Sequence, residues 1–267
     1  MKRVLSIQDL SCLGKCSLTV ALPVLSAMGC ACTPLPTAVL SSHTGFPDPH
    51  VCCLTEDIPP TVQHWQTVGA QFDAISVGYL ADPAQAKAVE TVLDAFHATV
   101  ILDPVMGDHG KHYARLTPEH TAATKQLCRK ADVLLPNVTE ACLLTGIPYR
   151  EQADAAYYQT LLDNLRDLGA GAVIITGAAL TPGQTGFIGF DDAEQFSYQA
   201  PKLPRQHHGT GDLFAAVVTG AVAGGNSLQD AATLAAQFVE RVLRATPETT
   251  PFGVDFESQL PWLWENM

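Results

Sequence analysis

The sequence predicts an α/β fold: a three-layer α/β/α sandwich around a mostly parallel central sheet. Short runs that are apolar at every position alternate along the chain with longer amphipathic segments, the pattern of strands buried on both faces between helix layers. Hydrophobic residues make up 47% of the chain and charged residues only 16%, enough aliphatic material for a large core. The length, 267 residues, suits one domain spanning 1–267, with the stretch 30–51 as a candidate lid or edge element.

Val4-Leu5-Ser6-Ile7 is the first apolar run, and it stops in the polar, glycine-containing stretch Gln8 to Cys16. Ser17 to Met28 has a helical pattern in which Pro23 must force a bend. Cys30 to Val51 interrupts the alternation, being rich in Pro and Ser with only short β-type pieces. The alternation resumes with Ala74-Ile75-Ser76-Val77 before a helical stretch from Pro83 to Phe96. Thr99-Val100-Ile101-Leu102 then precedes Thr117 to Cys128, and Asp132-Val133-Leu134-Leu135 precedes Val138 to Thr145. Ala172-Val173-Ile174-Ile175 is a further strand, and the segments Gly186 to Phe190 and Gln195 to Tyr198 flank Asp191-Asp192 like a hairpin. Two alanine-rich helical stretches, roughly Thr210 to Ala223 and Leu228 to Leu243, lead into a tail with Trp262 and Trp264.

Fifteen Lys and Arg against 27 Asp and Glu give a net charge of −12, which repels nucleic-acid backbones and anionic membranes. A phosphorylated substrate would need a metal ion, a few placed cations or helix N-termini to meet its charge. The apolar run after Met1 is too short for a signal-peptide core, and no run approaches the roughly 20 apolar residues of a membrane span. The expectation is a cytoplasmic protein whose eight cysteines are reduced. Cys12-x-x-x-Cys16, Cys30-x-Cys32, Cys52-Cys53, His109-x-x-His112 and His207-His208 lack zinc-site spacing, so buried free thiols are the expected reading.

In a parallel sheet, ligands bind beyond the carboxyl ends of the strands, so the residues after each apolar run are the candidate site. They are Gln8-Asp9, Gly78-Tyr79, the run Asp103 to Asp108, the run Pro136 to Glu140, and Thr176-Gly177. The sharpest signal is His208-Gly209-Thr210-Gly211-Asp212 ahead of a small-residue helix. Glycines at a helix start let backbone N–H groups converge on an anion, and an aspartate there makes sense facing a hydroxyl that attacks a phosphoryl group. The competing reading makes Thr210 or Asp212 a simple helix cap. Asp103, Asp108 and Glu140 with Asn137 suit a Mg²⁺ site, against a reading of Asn137 and Glu140 as caps. Neither G-x-x-x-x-G-K-[ST] nor G-x-G-x-x-G occurs, which excludes a P-loop or dinucleotide fingerprint.

These residues resemble the pyridoxal (vitamin B6) kinases of the ribokinase-like superfamily. Arg3 to Gln8 resembles their opening strand, Ser42-His43-Thr44-Gly45 their S-N-H-T-G-like loop, and Gly78-Tyr79-Leu80 their G-Y-L/T turn. Asp103 to Asp108 resembles D-P-V-M/I-G-D, Pro136 to Glu140 resembles P-N-x-x-E, and Gly209 to Asp212 resembles the G-T-G-D anion hole.

The resemblance implies a ribokinase-like fold and ATP-dependent phosphorylation of the 5′-hydroxymethyl group of pyridoxal, pyridoxine or pyridoxamine by a homodimer. It implies Asp212 as the base, with the amides of Gly209, Thr210 and Gly211 holding the transferring phosphoryl group. Asp103 and Glu140 would serve Mg²⁺, and Asn137 and Thr176 the nucleotide. Thr44 and Tyr79 would contact the pyridine ring, Tyr113 would come from a closing loop, and a monovalent cation is an open addition. The chain departs from the family where Asp9 replaces a ring-contacting serine and where Cys12 to Cys16 replaces a more neutral glycine-rich stretch. Asp9 could pair with the ammonium of pyridoxamine, bind the ring nitrogen that all vitamers share, or cap a turn. The alternatives to a B6 kinase are a hydroxymethylpyrimidine kinase on the same fold and a catalytically idle B6-binding protein.

Overall fold

A computed structural model describes residues 1–204 and 207–267. The strands are β1 (Arg3–Ser11), β2 (Ala31–Leu40), β3 (Val51–Cys53), β4 (Ala74–Val77), β5 (Thr99–Leu102), β6 (Gly107–Asp108), β7 (Lys111–His112), β8 (Val133–Leu134), β9 (Ala172–Ala178), β10 (Gln184–Phe190) and β11 (Gln195–Pro201). Among the described residues nine of them form one sheet in the order β11-β10-β9-β8-β5-β4-β1-β2-β3, while β6 and β7 form a separate hairpin. The strands from β9 to β2 run parallel, and antiparallel neighbours close both edges. From β1 the chain passes first to β2 on one side and later to β4 on the other, so the strand order reverses there and leaves a crevice beyond the carboxyl ends of β1 and β4.

Helices α1 (Leu18–Ala27), α2 (Ile58–Thr67), α3 (Ala84–Ala95), α4 (Pro118–Cys128), α5 (Val138–Thr145), α6 (Ala155–Asp167), α7 (Thr210–Gly224), α8 (Leu228–Ala245) and α9 (Leu260–Glu265) cover the two faces. One core packs α2 to α6 on one side of the sheet, and the other packs α1, α7, α8 and α9 on the opposite side. Alternate residues of β1 divide between them: Leu5 and Ile7 enter the first core and Val4 the second. Helix α7 is apolar nearly all round because it is enclosed by the sheet, α1 and α8. In α1, Pro23 removes the hydrogen bond to the Thr19 carbonyl, a loss of about 3 kcal/mol in a free helix. Burial of Leu18, Val20, Val24 and Leu25 at about 1.5–3 kcal/mol each outweighs it.

The segment from 30 to 51 departs from its predicted character. Its first part is a full ten-residue strand, β2, paired with β1 along most of its length. Pro34 and Pro36 are tolerated because β3 pairs only with Ala38, Val39 and Leu40, so at the prolines β2 is an edge strand with no ladder hydrogen bond to lose. Residues 41–50 form the loop that leads to β3.

The expectation of buried thiols is corrected at three positions: Cys12, Cys52 and Cys53 are exposed, the last two on the short edge strand β3. Cys30, Cys128 and Cys142 are buried.

Candidate active site

Helix α7 starts in the crevice with an unusual N-terminus. Gly209 is its N-cap in the left-handed region at φ 89, without a side-chain cap. A Cβ at Gly209 would collide with the Lys15 carbonyl oxygen, so both conformation and space require glycine. Gly211 is different: a Cβ there would meet only Asp103 Oδ2, at 3.9 Å. The protein therefore leaves open space in front of Gly211, at a helix end where unpartnered N–H groups and the macrodipole favour an anion.

Asp212 stands in the first turn of α7 beside Cys16, Ser17 and Asp9. Burial, then the Asp9 charge, pushes its carboxyl up to about 6, against hydrogen bonding from the Ser17 N–H and the Cys16 thiol. Asp103, just beyond β5, is pushed well above the usual carboxylate range by burial and by the neighbouring Glu140 and Asp212. Among the described residues no cation pairs with Asp103, so these carboxylates raise one another's pKa. Among the described residues no three His, Cys, Asp or Glu side chains are grouped as a metal site, so a hard divalent cation would be held here by Asp103 with water and substrate oxygens completing its shell.

Glu140 holds the loop after β5 onto α5. Its Oε1 accepts the Met106 N–H at 3.0 Å and its Oε2 the Asn137 N–H at 2.8 Å. Asn137 Oδ1 accepts the Glu140 N–H at 2.9 Å, completing a capping box, and Asn137 Nδ2 donates to the Gly107 carbonyl at 2.8 Å. Burial nonetheless raises the Glu140 pKa. Thr176 sits beside Asn137 at the end of β9, its N–H donating to the Pro136 carbonyl at 2.9 Å.

The β6–β7 hairpin turns at His109-Gly110, both with positive φ, and is tied to α5 by the Gly110 N–H donating to Thr139 Oγ1 at 2.9 Å. Tyr113 follows β7, and burial with the charges of Glu140, Asp108, Asp103 and Asp212 pushes its phenol far up, so the ring hangs by the acidic set. Tyr79, after β4, is buried, and its hydroxyl has no hydrogen-bond partner among the described residues. Burial and the Asp9 charge push that phenol up to about 12. An orphaned buried hydroxyl calls for a partner that the described residues do not supply. Asp9 itself is only 2% exposed. Its Oδ2 accepts the Ser11 hydroxyl at 2.8 Å, and burial raises its pKa.

The structure thus brings Asp9, Tyr79, Asp103, Tyr113, Glu140 and Gly209 to Asp212 to one crevice, with Asn137 and Thr176 side by side at the neighbouring strand ends. Thr44 stands apart, exposed on the loop 41–50. That loop is fastened to the α7 start by His43, whose ring packs on His208 at 4.6 Å between centroids. His43 Nδ1 accepts the Gly45 N–H at 3.1 Å and its Nε2 faces the Pro251 carbonyl at 3.3 Å, which assigns the Nε2–H tautomer. Burial and the adjacent imidazole lower the His43 pKa, which favours the neutral ring.

The sequence pattern does not single out Lys15 or Ser17. Lys15 is bound by Asp255 at 2.6 Å and Glu257 at 2.8 Å, which pins the C-terminal segment against the Gly209 turn. A lone lysine and two distant carboxylates carry no local signal for that contact.

An anion-binding helix start with its own aspartate, set at a strand-order reversal beside a cluster of carboxylates, defines a small-molecule kinase of the ribokinase-like α/β type. Comparison with known proteins agrees. The profile of the phosphomethylpyrimidine kinase family matches residues 23–254, and the chain belongs to that family. It is 33% identical over 267 aligned residues to a pyridoxine/pyridoxal/pyridoxamine kinase of Bordetella bronchiseptica, covering 92% of this chain and 89% of that one. A Bacteroides thetaiotaomicron protein assigned as a phosphomethylpyrimidine kinase, crystallised with pyridoxal, superposes with a TM-score of 0.93 at 35% identity over 98% of this chain and 95% of that one. The pyridoxal kinase of Lactobacillus plantarum gives 0.91 at 33% identity over 99% and 97%.

Proposed function

We propose that this chain is a kinase that transfers the γ-phosphoryl group of ATP to the 5′-hydroxymethyl group of a vitamin B6 vitamer. The observation that carries this reading is the pairing of Asp212, its carboxyl pushed up to about 6, with the open helix start at Gly209 to Gly211. A carboxylate tuned that far toward neutrality accepts a proton readily while remaining largely ionised at pH 7. Asp212 would take the hydroxyl proton as the oxygen attacks phosphorus, and the α7 N–H groups would hold the transferring charge. The names of the Bordetella and Lactobacillus relatives and the pyridoxal in the Bacteroides crystal support the substrate class.

Tyr79 and Asp9 would face the pyridine ring, Thr44 would complete that side from the loop 41–50, and Tyr113 would cover the site from the hairpin. Asn137 and Thr176 mark the nucleotide end, Asn137 by shaping the loop. Mg²⁺, when bound, would neutralise phosphate charge; Asp103 would hold it, with Glu140 acting through water because both its oxygens already accept backbone N–H groups. A homodimeric, cytoplasmic protein of one domain is the accompanying proposal. Among the described residues no helix is long and apolar enough to cross a membrane.

Measuring ADP release with pyridoxal, pyridoxine, pyridoxamine and hydroxymethylpyrimidine tests the reading. Turnover on the B6 vitamers well above that on the pyrimidine is expected. A preference for the pyrimidine would favour the reading that the family's description suggests, and no turnover on any would leave a B6-binding protein.

A further inference from the structure

Two polar side chains lie fully buried behind the turn that follows β4, and the proposed chemistry uses neither. They are Thr37 in β2 and Gln85 in the first turn of α3, both 0% exposed. A polar group buried without a partner is costly, so the partners these two have found show what they are for. Thr37 Oγ1 donates to the Tyr79 carbonyl at 3.1 Å. Gln85 Nε2 donates to the Thr37 carbonyl at 2.6 Å, and Gln85 Oε1 accepts the Ala81 N–H at 2.8 Å. His120 Nε2 of α4 faces the Ala81 carbonyl at 3.4 Å. From the β1 side the Gly78 N–H donates to the Ile7 carbonyl at 2.9 Å, and Gln8 Oε1 packs so closely on Gly78 that a Cβ there would collide with it.

Strand β2 leaves its regular register at this point. Gln8 pairs with Pro36 and Leu10 with Val39, so two residues of β2, Thr37 and Ala38, stand opposite Asp9 alone. Such a bulge re-aims side chains, and bulges gather next to functional sites. The Thr37 carbonyl also accepts the Leu54 N–H at 2.9 Å, just past β3. Thr37 thus joins the Tyr79 turn to the β2–β3 pair, which brackets the loop 41–50 with Thr44. Because the Tyr79 hydroxyl has no hydrogen-bond partner among the described residues, the ring is held by packing and by the hydrogen bonds of its own backbone.

We propose that Thr37 and Gln85 are positioning residues: a buried brace that sets the Tyr79 turn against the β2–β3 pair and so governs vitamer binding. This proposal rests on the reading of Tyr79 as a vitamer-facing group. A fully satisfied polar network in an apolar interior fixes one arrangement where apolar packing alone would admit several. The brace acts on the β4, β1 and β2 side of the sheet, whereas Asn137 and Thr176 lie at the ends of β8 and β9 beyond β5, so nucleotide binding does not depend on it.

Three variants test the brace. Thr37→Val removes the hydroxyl at nearly the same shape, Gln85→Met removes both amide contacts, and Thr37→Ser keeps the hydroxyl. The first two should each raise the vitamer KM at least about fivefold, as loss of one ordinary hydrogen bond does, with kcat and the ATP KM within about twofold of wild type. Thr37→Ser should keep the wild-type KM. In a Tyr79→Ala background, adding Thr37→Val should raise the vitamer KM no further, because the brace acts through that residue. Folded Thr37→Val and Gln85→Met proteins with a wild-type vitamer KM and only a lower melting temperature would make the pair merely structural and overturn the proposal. An equal rise in the ATP KM, a Thr37→Ser variant as impaired as Thr37→Val, or an additive effect in the double variant also overturns it. If Tyr79→Ala alone leaves the vitamer KM unchanged, the ring-side reading of Tyr79 is what fails, and the brace fails with it.

Discussion

Two helices begin at the crevice, and they begin in opposite ways. Helix α5 is closed: Asn137 caps the Glu140 N–H, Glu140 caps the Asn137 N–H, and the same pair ties down Met106 and Gly107. Helix α7 is open, with a glycine N-cap that supplies no side-chain acceptor and free space before Gly211. A helix start leaves four N–H groups without intrahelical partners, and what meets them decides the role of the site. Where side chains meet them the start is structural. Where glycines keep side chains away, a ligand must do so.

The largest effect should come from the open end. Asp212→Asn is expected to lower kcat by about 10²–10⁴, with nucleotide affinity within a small factor of wild type, checked by steady-state kinetics and nucleotide titration. Near-normal turnover would reduce Asp212 to a cap and erase the contrast.

At the closed end, Glu140→Gln replaces one acceptor oxygen with a donor. It should cost about 0.5–2 kcal/mol in a denaturation experiment and raise the Mg²⁺ concentration needed for activity, with kcat at saturating Mg²⁺ far less affected than in Asp212→Asn. Asp103→Asn should raise the Mg²⁺ requirement without a comparable loss of stability, since Asp103 caps nothing. Mg²⁺ titrations that superimpose on wild type would remove both residues from the metal region.

The pH dependence of stability is a smaller effect with a defined sign. The pKa values of Asp103, Glu140 and Asp212 are all raised by burial, so the folded protein holds protons that the unfolded chain releases. The stability they contribute is complete below the ordinary carboxylate range and is lost as pH rises, for Asp212 through about 6. Melting temperature of the ligand-free protein should therefore decline over that interval. Mg²⁺ should flatten the decline, and an unchanged slope would argue against a cation among these carboxylates.

The same contrast explains what the sequence revealed. Strands such as Ala74–Val77 and Thr99–Leu102 are legible because burial on both faces leaves no polar position. Residues just past their ends, Tyr79 and Asp103 among them, were accessible from the rule that ligands collect there. Strand β2 was obscured by Pro34 and Pro36, whose acceptability depends on how little of the edge β3 covers. Helices α2 and α6 fall outside the predicted pattern, α2 because Pro59 and Pro60 resemble breakers until they are seen in its first turn. Asn137 and Glu140 fit either a cap or a ligand set from spacing alone; only their hydrogen bonds reveal the closed box. The contact of His43 with His208 joins segments distant in sequence and leaves no local trace.

The open start of α7 as the phosphoryl cradle is tested most directly by Gly211→Ala. A Cβ there meets only Asp103 Oδ2 at 3.9 Å, so the folded protein should accommodate it with little change in melting temperature. The methyl group would occupy the space that the transferring phosphoryl group needs. Measured as pyridoxal 5′-phosphate formed from pyridoxal and ATP, turnover should fall at least about tenfold at unchanged stability, the loss expected when one charge-stabilising contact of the transition state is displaced. Wild-type turnover in a correctly folded Gly211→Ala protein would contradict the assignment.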